Sequence, residues 1–135
     1  MDFDLEKIIS DVPLIRLKNF EDNEVYVLLE KFNVTGSIKV KTVYRILKDA
    51  LQNWTLQKNK TILEASSWNT AIALAYFGRV LWIDVKIVLP KTTASCKKVL
   101  IKSYWAKIIE IEWITDDCVR YRDELYQQDK GKYFI

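Results

Sequence analysis

The chain has 135 residues, half of them hydrophobic, which is enough for one domain with a single core. A net charge of +3, from 21 Lys and Arg against 18 Asp and Glu, is too small to indicate a nucleic-acid or membrane partner. The absence of histidine excludes imidazole bases and histidine metal ligands, and two cysteines are too few for a zinc site or a disulfide framework. Only three glycines occur, where average usage predicts about nine.

The start of the chain, Met1-Asp2-Phe3-Asp4, is acidic and lacks the layout of a signal peptide. No apolar run approaches the ~18 residues of a membrane span. Because cysteine use is also low, we expect a cytoplasmic protein with reduced thiols, bound to neither a membrane nor a nucleic acid.

The hydrophobic pattern alternates between strand-like and helix-like segments. The strand-like runs are 14–17, 25–29, 61–64, 85–89 and 107–112, and the helical runs are 40–51, 70–80 and 94–104. A last helix is predicted to begin with Thr115 as its N-cap, followed by Asp116 and Asp117 in the first turn, where the helix dipole favours anions. Strands joined by crossover helices favour a parallel sheet with helices on both faces.

A Gly36-Ser37 turn precedes the helix over 40–51 and places Lys39 at its start. A lysine at the positive end of a helix is suited to act as a nucleophile or to form a Schiff base. A Gly-Ser pair is a weak motif, however, and the spacing alone favours an ordinary surface lysine.

A second polar segment follows the strand over 61–64 and opens the helix over 70–80. Its hydroxyls and amide belong to Ser66, Ser67, Asn69 and Thr70. Ligands bind at the carboxyl edge of open α/β sheets, and such groups beside a helix N-terminus suit a carboxylate or a phosphate. The alternative is that the hydroxyls only cap the helix.

These segments together resemble the N-terminal part of cysteine synthase (O-acetylserine sulfhydrylase), in the fold-type-II family of pyridoxal-phosphate (PLP) enzymes. The stretches that carry the resemblance are 12–17, 29–39, 64–67, 85–90 and 116–125. The resemblance implies a single α/β domain over 1–135. Within it, 46–135 would form a three-layer, flavodoxin-like small domain with a parallel sheet of about four strands. Residues 1–45 would be an N-terminal extension similar to part of the family's large domain.

The resemblance also implies roles for individual residues. Lys39 matches the lysine that forms the Schiff base with PLP, and Asn69 matches the asparagine that hydrogen-bonds the ring hydroxyl of the cofactor. Ser66, Ser67 and Thr70 match the loop that grips the substrate carboxylate. The family's reaction is a β-replacement, in which sulfide takes the place of the acetate of O-acetylserine.

The chain departs from the family at positions that bear on activity. The family's Lys-Asp-Arg is replaced by Lys39-Val40-Lys41, and Trp68 stands where the substrate loop has glycine. The family's phosphate-binding loop lies beyond the matched part. We therefore expect a truncated, catalytically inactive protein that binds PLP weakly and associates with itself or with a full-length relative. The alternative is β-replacement activity as a domain-swapped oligomer or a split enzyme.

The tryptophans also fall where the family has glycine: Trp68 and Trp105 clearly, Trp54 and Trp82 by their place after predicted helices, and Trp113 less clearly. A left-handed residue is common after a helix, and for a residue with a Cβ it costs ~1–2 kcal/mol. We expect either rebuilt helix ends or burial of the indoles. Such burial would be against a partner subunit or in gaps within the monomer.

Overall fold

The computed structural model describes residues 5–18, 20, 23–112 and 114–135. In chain order its elements are α1 (Leu5–Ser10), β1 (Leu14–Leu17), β2 (Val25–Leu28), a 3-10 turn (Glu30–Phe32), α2 (Lys39–Gln52), β3 (Thr61–Ala65), α3 (Asn69–Leu81), β4 (Val85–Pro90), α4 (Ser95–Ser103), β5 (Lys107–Ile111), α5 (Thr115–Gln128) and β6 (Tyr133–Phe134).

Four strands form a parallel sheet in the order β5-β4-β3-β6. The predicted α/β fold with a parallel sheet of about four strands is therefore confirmed. The fourth strand, β6, was not predicted, because it has only two residues and is defined by its pairing with Thr61 and Ile62. In the register Ala65 pairs with Val88, and Pro90 pairs with Ile111, so β3, β4 and β5 all end towards one edge.

Helices cover both faces of this sheet, as the three-layer prediction requires. Successive side chains of a strand point to opposite faces, so Ile87 and Leu89 of β4 join the core under α3 and α4, while Val88 joins the core under α5. Helix α2 packs against α3 and adds Val40 and Leu47 to the first core. The apolar run of α3 is buried because it lies between the sheet and α2.

The N-terminal strands form a separate antiparallel hairpin, in which Leu14 pairs with Leu28 and Leu17 pairs with Val25. Large apolar side chains of this hairpin are exposed. Helix α1 contributes Ile9 to the main core and contacts α2. The division of the chain at residue 45 stays a prediction, and that position lies within α2.

The helix ends contradict two of the expectations about the tryptophans, and burial against a partner subunit stays a prediction. Trp54, Trp82 and Trp105 all have a positive φ, so the left-handed helix ends are kept and not rebuilt. Their indoles are exposed, so filling of gaps within the monomer is wrong for these three residues. Trp113 lies outside the described residues.

Helix α5 begins at Thr115, with Ile114 at the cap position in an extended conformation, so the prediction of Thr115 as N-cap is wrong by one residue. Asp116 and Asp117 do occupy its first turn. Within the described part of the chain, no helix combines the length and apolar character that a membrane crossing requires.

Candidate functional site

A cleft lies beyond the carboxyl ends of the parallel strands. Because β3, β4 and β5 end towards one edge, the turns that follow them come together there. The cleft has a volume of about 730 Å³, and its lining includes Ser67 after β3, Thr93 after β4 and Glu112 after β5. This is the edge at which open α/β sheets bind ligands.

The β3–α3 turn holds four of the residues that the sequence singled out. The backbone N–H of Ser66 donates to the carbonyl of Val88 (3.0 Å), and the Ser66 hydroxyl accepts from the Trp68 N–H (3.4 Å). Ser67 lines the cleft, while Asn69 and Thr70 are the first two residues of α3. The four polar residues therefore lie in the β3–α3 turn and the first turn of α3.

The start of α3 has no side-chain cap. The cap position is occupied by Trp68, so the alternative in which the serine and threonine hydroxyls cap the helix is not what the structure shows. The first N–H groups of a helix have no partner within the helix, and they favour anions. The turn can therefore receive a carboxylate at the first backbone N–H groups of α3.

The indole of Trp68 stands at the cleft. Its side chain is exposed, and the ammonium of Lys97 lies 3.2 Å from its ring centroid, which is a cation–π contact. Both residues line the cleft, so this pair occupies part of the space next to Ser67.

Lys39 is the first residue of α2, and its side chain is exposed. Its backbone N–H donates to the Ser37 hydroxyl (3.4 Å). Gly36 has a φ of 72°, a conformation that favours glycine, and this shapes the turn before the helix. Two residues further along, Lys41 Nζ lies 2.5 Å from Glu30 Oε1. Across the described residues, no ion pair or side-chain hydrogen bond involves the Lys39 amine.

The structure thus places Lys39 and the β3–α3 turn at the first turns of two helices that pack against each other. Within the described ranges, no hydrogen bond or ion pair joins Lys39 to Ser66, Ser67, Asn69 or Thr70.

Charged groups at the end of β5 are paired with lysines. Lys98 donates to Glu110 (2.7 Å), and this hydrogen bond lowers the pKa of the Glu110 carboxyl. Lys91 pairs with Glu112, which raises the pKa of the Lys91 ammonium. The acidic residues at this rim are therefore neutralised by lysines, and Lys97 adds a further positive charge to the cleft.

Sequence reasoning missed the β4–α4 turn, where Thr92 and Thr93 line the cleft, and the first turn of α4, from which Lys97 lines it. The Thr93 hydroxyl is buried and has no hydrogen-bond partner among the described residues. A signal was present, because two threonines follow Pro90 at the end of a strand just as two serines follow β3. The sequence pattern alone does not show that the turns after β3 and β4 line the same cleft.

The fold and this edge define a class: an α/β domain with a parallel sheet and a cleft at its carboxyl edge, beside the uncapped start of a buried helix. The family described as pyridoxal-phosphate dependent enzyme matches residues 5–135. The chain belongs to this family, as the sequence resemblance indicated.

Its relatives include cysteine synthases. The cysteine synthase of Aquifex aeolicus is 32% identical over 135 residues, which cover 94% of this chain and 41% of that protein. Crystal structures of O-acetyl serine sulfhydrylase isoform 3 from Entamoeba histolytica (TM-score 0.90, 26% identity) and of a hydrogen sulfide-producing enzyme from Fusobacterium nucleatum (TM-score 0.85, 30% identity) have the same fold. The first covers 99% of this chain and the second 95%, and the chain covers 43% of each. It therefore spans about two fifths of the length of these relatives.

Proposed function

We propose that this chain supplies the lysine and the substrate-carboxylate turn of a cysteine-synthase-like enzyme that uses PLP. The observation that carries the proposal is the placement of Lys39 and of the Ser66–Thr70 turn at the starts of α2 and α3, two helices packed against each other. Membership of the PLP-dependent family supports the class of cofactor.

The side chains fit this cofactor by chemical type. Lys39 offers an exposed primary amine, the group that bonds an aldehyde, and Asn69 offers an amide for the ring hydroxyl. When bound, the cofactor supplies an electron sink for the carbanion formed at the substrate.

The chain's own residues then bind the substrate and move its proton. Ser66, Ser67, Thr70 and the first N–H groups of α3 hold the carboxylate, which is favoured at an uncapped helix start. Lys39 Nζ takes the proton from the substrate Cα and returns it. The overall reaction is the replacement of the acetate of O-acetylserine by sulfide.

We further propose that these 135 residues are catalytically silent by themselves, bind PLP weakly, and act in association with a full-length relative or a second copy. The β1–β2 hairpin supports this, because Leu14 is 62% exposed, Tyr26 is 51% exposed and Leu28 is 43% exposed. An isolated two-stranded hairpin is marginal in water, so docking onto a second unit would stabilise it.

A second candidate function is β-replacement activity of the chain as a domain-swapped oligomer or a split enzyme. The same hairpin favours it, since exchange of this segment between copies would bury its apolar side chains.

Reductive trapping tests the proposal. The purified chain and a chimera, in which the chain replaces the matched part of the Aquifex aeolicus synthase, are mixed with PLP, reduced with borohydride and mapped by mass spectrometry. We expect stoichiometric labelling of Lys39 in the chimera and only unselective labelling of the chain alone. In the chimera, Lys39→Arg should abolish the selective label, whereas Lys31→Arg, at another exposed lysine, should not.

Even labelling of all lysines in the chimera would refute the role of Lys39. Formation of cysteine from O-acetylserine and sulfide by the chain alone would refute catalytic silence and support the second candidate.

A further inference from the structure

Three tryptophans have a backbone conformation that favours glycine. Among the described residues, the non-glycine positions with a positive φ are Trp54 (60°), Trp82 (56°) and Trp105 (67°). Each lies one or two residues past the end of α2, α3 or α4, where a left-handed glycine commonly ends a helix. A bulky residue with such a φ is a genuine outlier, and here all three outliers are of one residue type.

Burial of the indoles does little to offset this backbone strain. Trp54 is 78% exposed, Trp82 72% and Trp105 68%, although tryptophan is on average a highly buried residue. The guanidinium of Arg79 lies 4.2 Å from the Trp82 centroid and 3.6 Å from that of Trp105. Exposed contacts of this kind are weak, and the ring of Trp54 has no aromatic or cation–π partner within the described part of the chain.

The fourth described tryptophan has a negative φ but is exposed like the other three. Trp68 is 67% exposed and holds the cap position of α3, with its indole in the cleft. The composition points the same way: the chain has only three glycines, and the four described tryptophans would bring this to seven, nearer the glycine content of about nine expected for its length.

We propose that the codons for Trp54, Trp68, Trp82 and Trp105 are UGA triplets, which the ribosomes of the source organism translate as glycine. UGA is a stop codon in the standard genetic code and a sense codon in several variant codes. It differs from the glycine codon GGA only in its first base. One reassigned codon accounts for all four positions at once. Separate replacements of glycine by tryptophan would have introduced backbone strain at Trp54, Trp82 and Trp105 without compensating burial.

The inference rests on backbone conformation and exposure, and so it is independent of the proposed function. It has a consequence for the cleft, because a residue without a side chain at position 68 clears the indole from beside Ser67. Its failure would leave the trapping of Lys39 unaffected, so the two proposals are tested separately.

The direct test is to sequence the gene and to map, by peptide mass spectrometry, the protein purified from its source cells. We expect UGA codons and glycine-containing peptides at all four positions. UGG codons, or tryptophan in the native peptides, would overturn the proposal.

A recombinant comparison tests its physical basis. The triple variant W54G/W82G/W105G should unfold at a higher urea concentration than the tryptophan form. The matched control W54A/W82A/W105A also removes the indoles but keeps a Cβ at each positive φ, and it should remain less stable than the glycine variant. W68G, at a negative φ, should give no such increase. A glycine triple variant that is no more stable than the alanine one would overturn the strain argument.

Discussion

A β-carbon on Gly78 would lie 2.2 Å from Cγ2 of Val85 and 2.9 Å from the Ile83 carbonyl oxygen. Helix α3 and the start of β4 therefore approach each other too closely for any side chain at position 78. The helix that opens with the candidate substrate turn is held against the sheet by this contact.

Gly78→Ala should lower the free energy of unfolding by about 1–3 kcal/mol, because overpacking outweighs the better helix propensity of alanine. Urea denaturation measures this. The control Gly131→Ala should change little, since its Cβ would meet its nearest neighbour, Asp129 Oδ1, at 3.6 Å. In a Val85→Ala background the penalty should shrink, and an equal penalty there would contradict the assigned clash.

Asn33→Ala should destabilise the N-terminal segment. The buried Asn33 amide donates to the Ile9 carbonyl and to Glu30 (3.1 Å each), and its oxygen accepts from the Val34 N–H (2.8 Å). Loss of these partners should cost about 1–3 kcal/mol, measured by denaturation. The exposed Asn53 offers a matched control, and Asn53→Ala should stay within about 0.5 kcal/mol of the parent. Equal effects of the two substitutions would contradict the bridging role of Asn33.

The Glu30–Lys41 pair should make the free energy of unfolding depend on pH in the acid range. The hydrogen bond from Lys41 lowers the pKa of the Glu30 carboxyl below its ordinary value of 4.5. The folded state therefore binds this proton less readily than the unfolded state does. The stabilisation is present above pH 4.5 and is lost as the pH falls through the folded pKa.

Lys41→Met should accordingly cost more stability at neutral pH than in acid, as denaturation across this pH range would show. Lys31→Met, at an exposed lysine, serves as the control. A cost for Lys41→Met that is the same at every pH would refute the assignment of the shift to this pair.

The two thiols should differ in reactivity. Cys96 is exposed, whereas Cys118 is buried on the side of α5 that packs against the sheet, and burial raises the pKa of its thiol. Because the thiolate is the nucleophile, iodoacetamide should modify only Cys96 in the native protein and both cysteines in urea. Mass spectrometry counts the modified cysteines, and Cys96→Ser should abolish the modification of the native protein. Rapid native labelling of Cys118 would contradict its packing.

Much of the local structure was predictable because it depends on neighbouring residues. The strand over 14–17 was predicted with its observed bounds, and the helices over 40–51 and 70–80 differ from α2 and α3 by one residue at each end. Helix α1 was missed, since its six residues are too few for the helical spacing of Leu5, Ile8 and Ile9 to stand out from the sequence.

The individual segments of the candidate site were predictable from the sequence. Hydroxyls and an amide after a strand marked the Ser66–Thr70 turn, and a Gly-Ser turn marked Lys39. The contribution of Lys97 was not predictable, because it reaches the cleft from α4 through the parallel order of β3, β4 and β5.

The sequence by itself determined the alternation of strands and helices and the family, because both are encoded in contiguous residues. Only the tertiary structure decided that Tyr133 and Phe134 complete the sheet, that three separate turns form one cleft, and that the indoles of the four described tryptophans are exposed. These features depend on which distant segments pack together, and the short-range pattern of residues does not encode that packing.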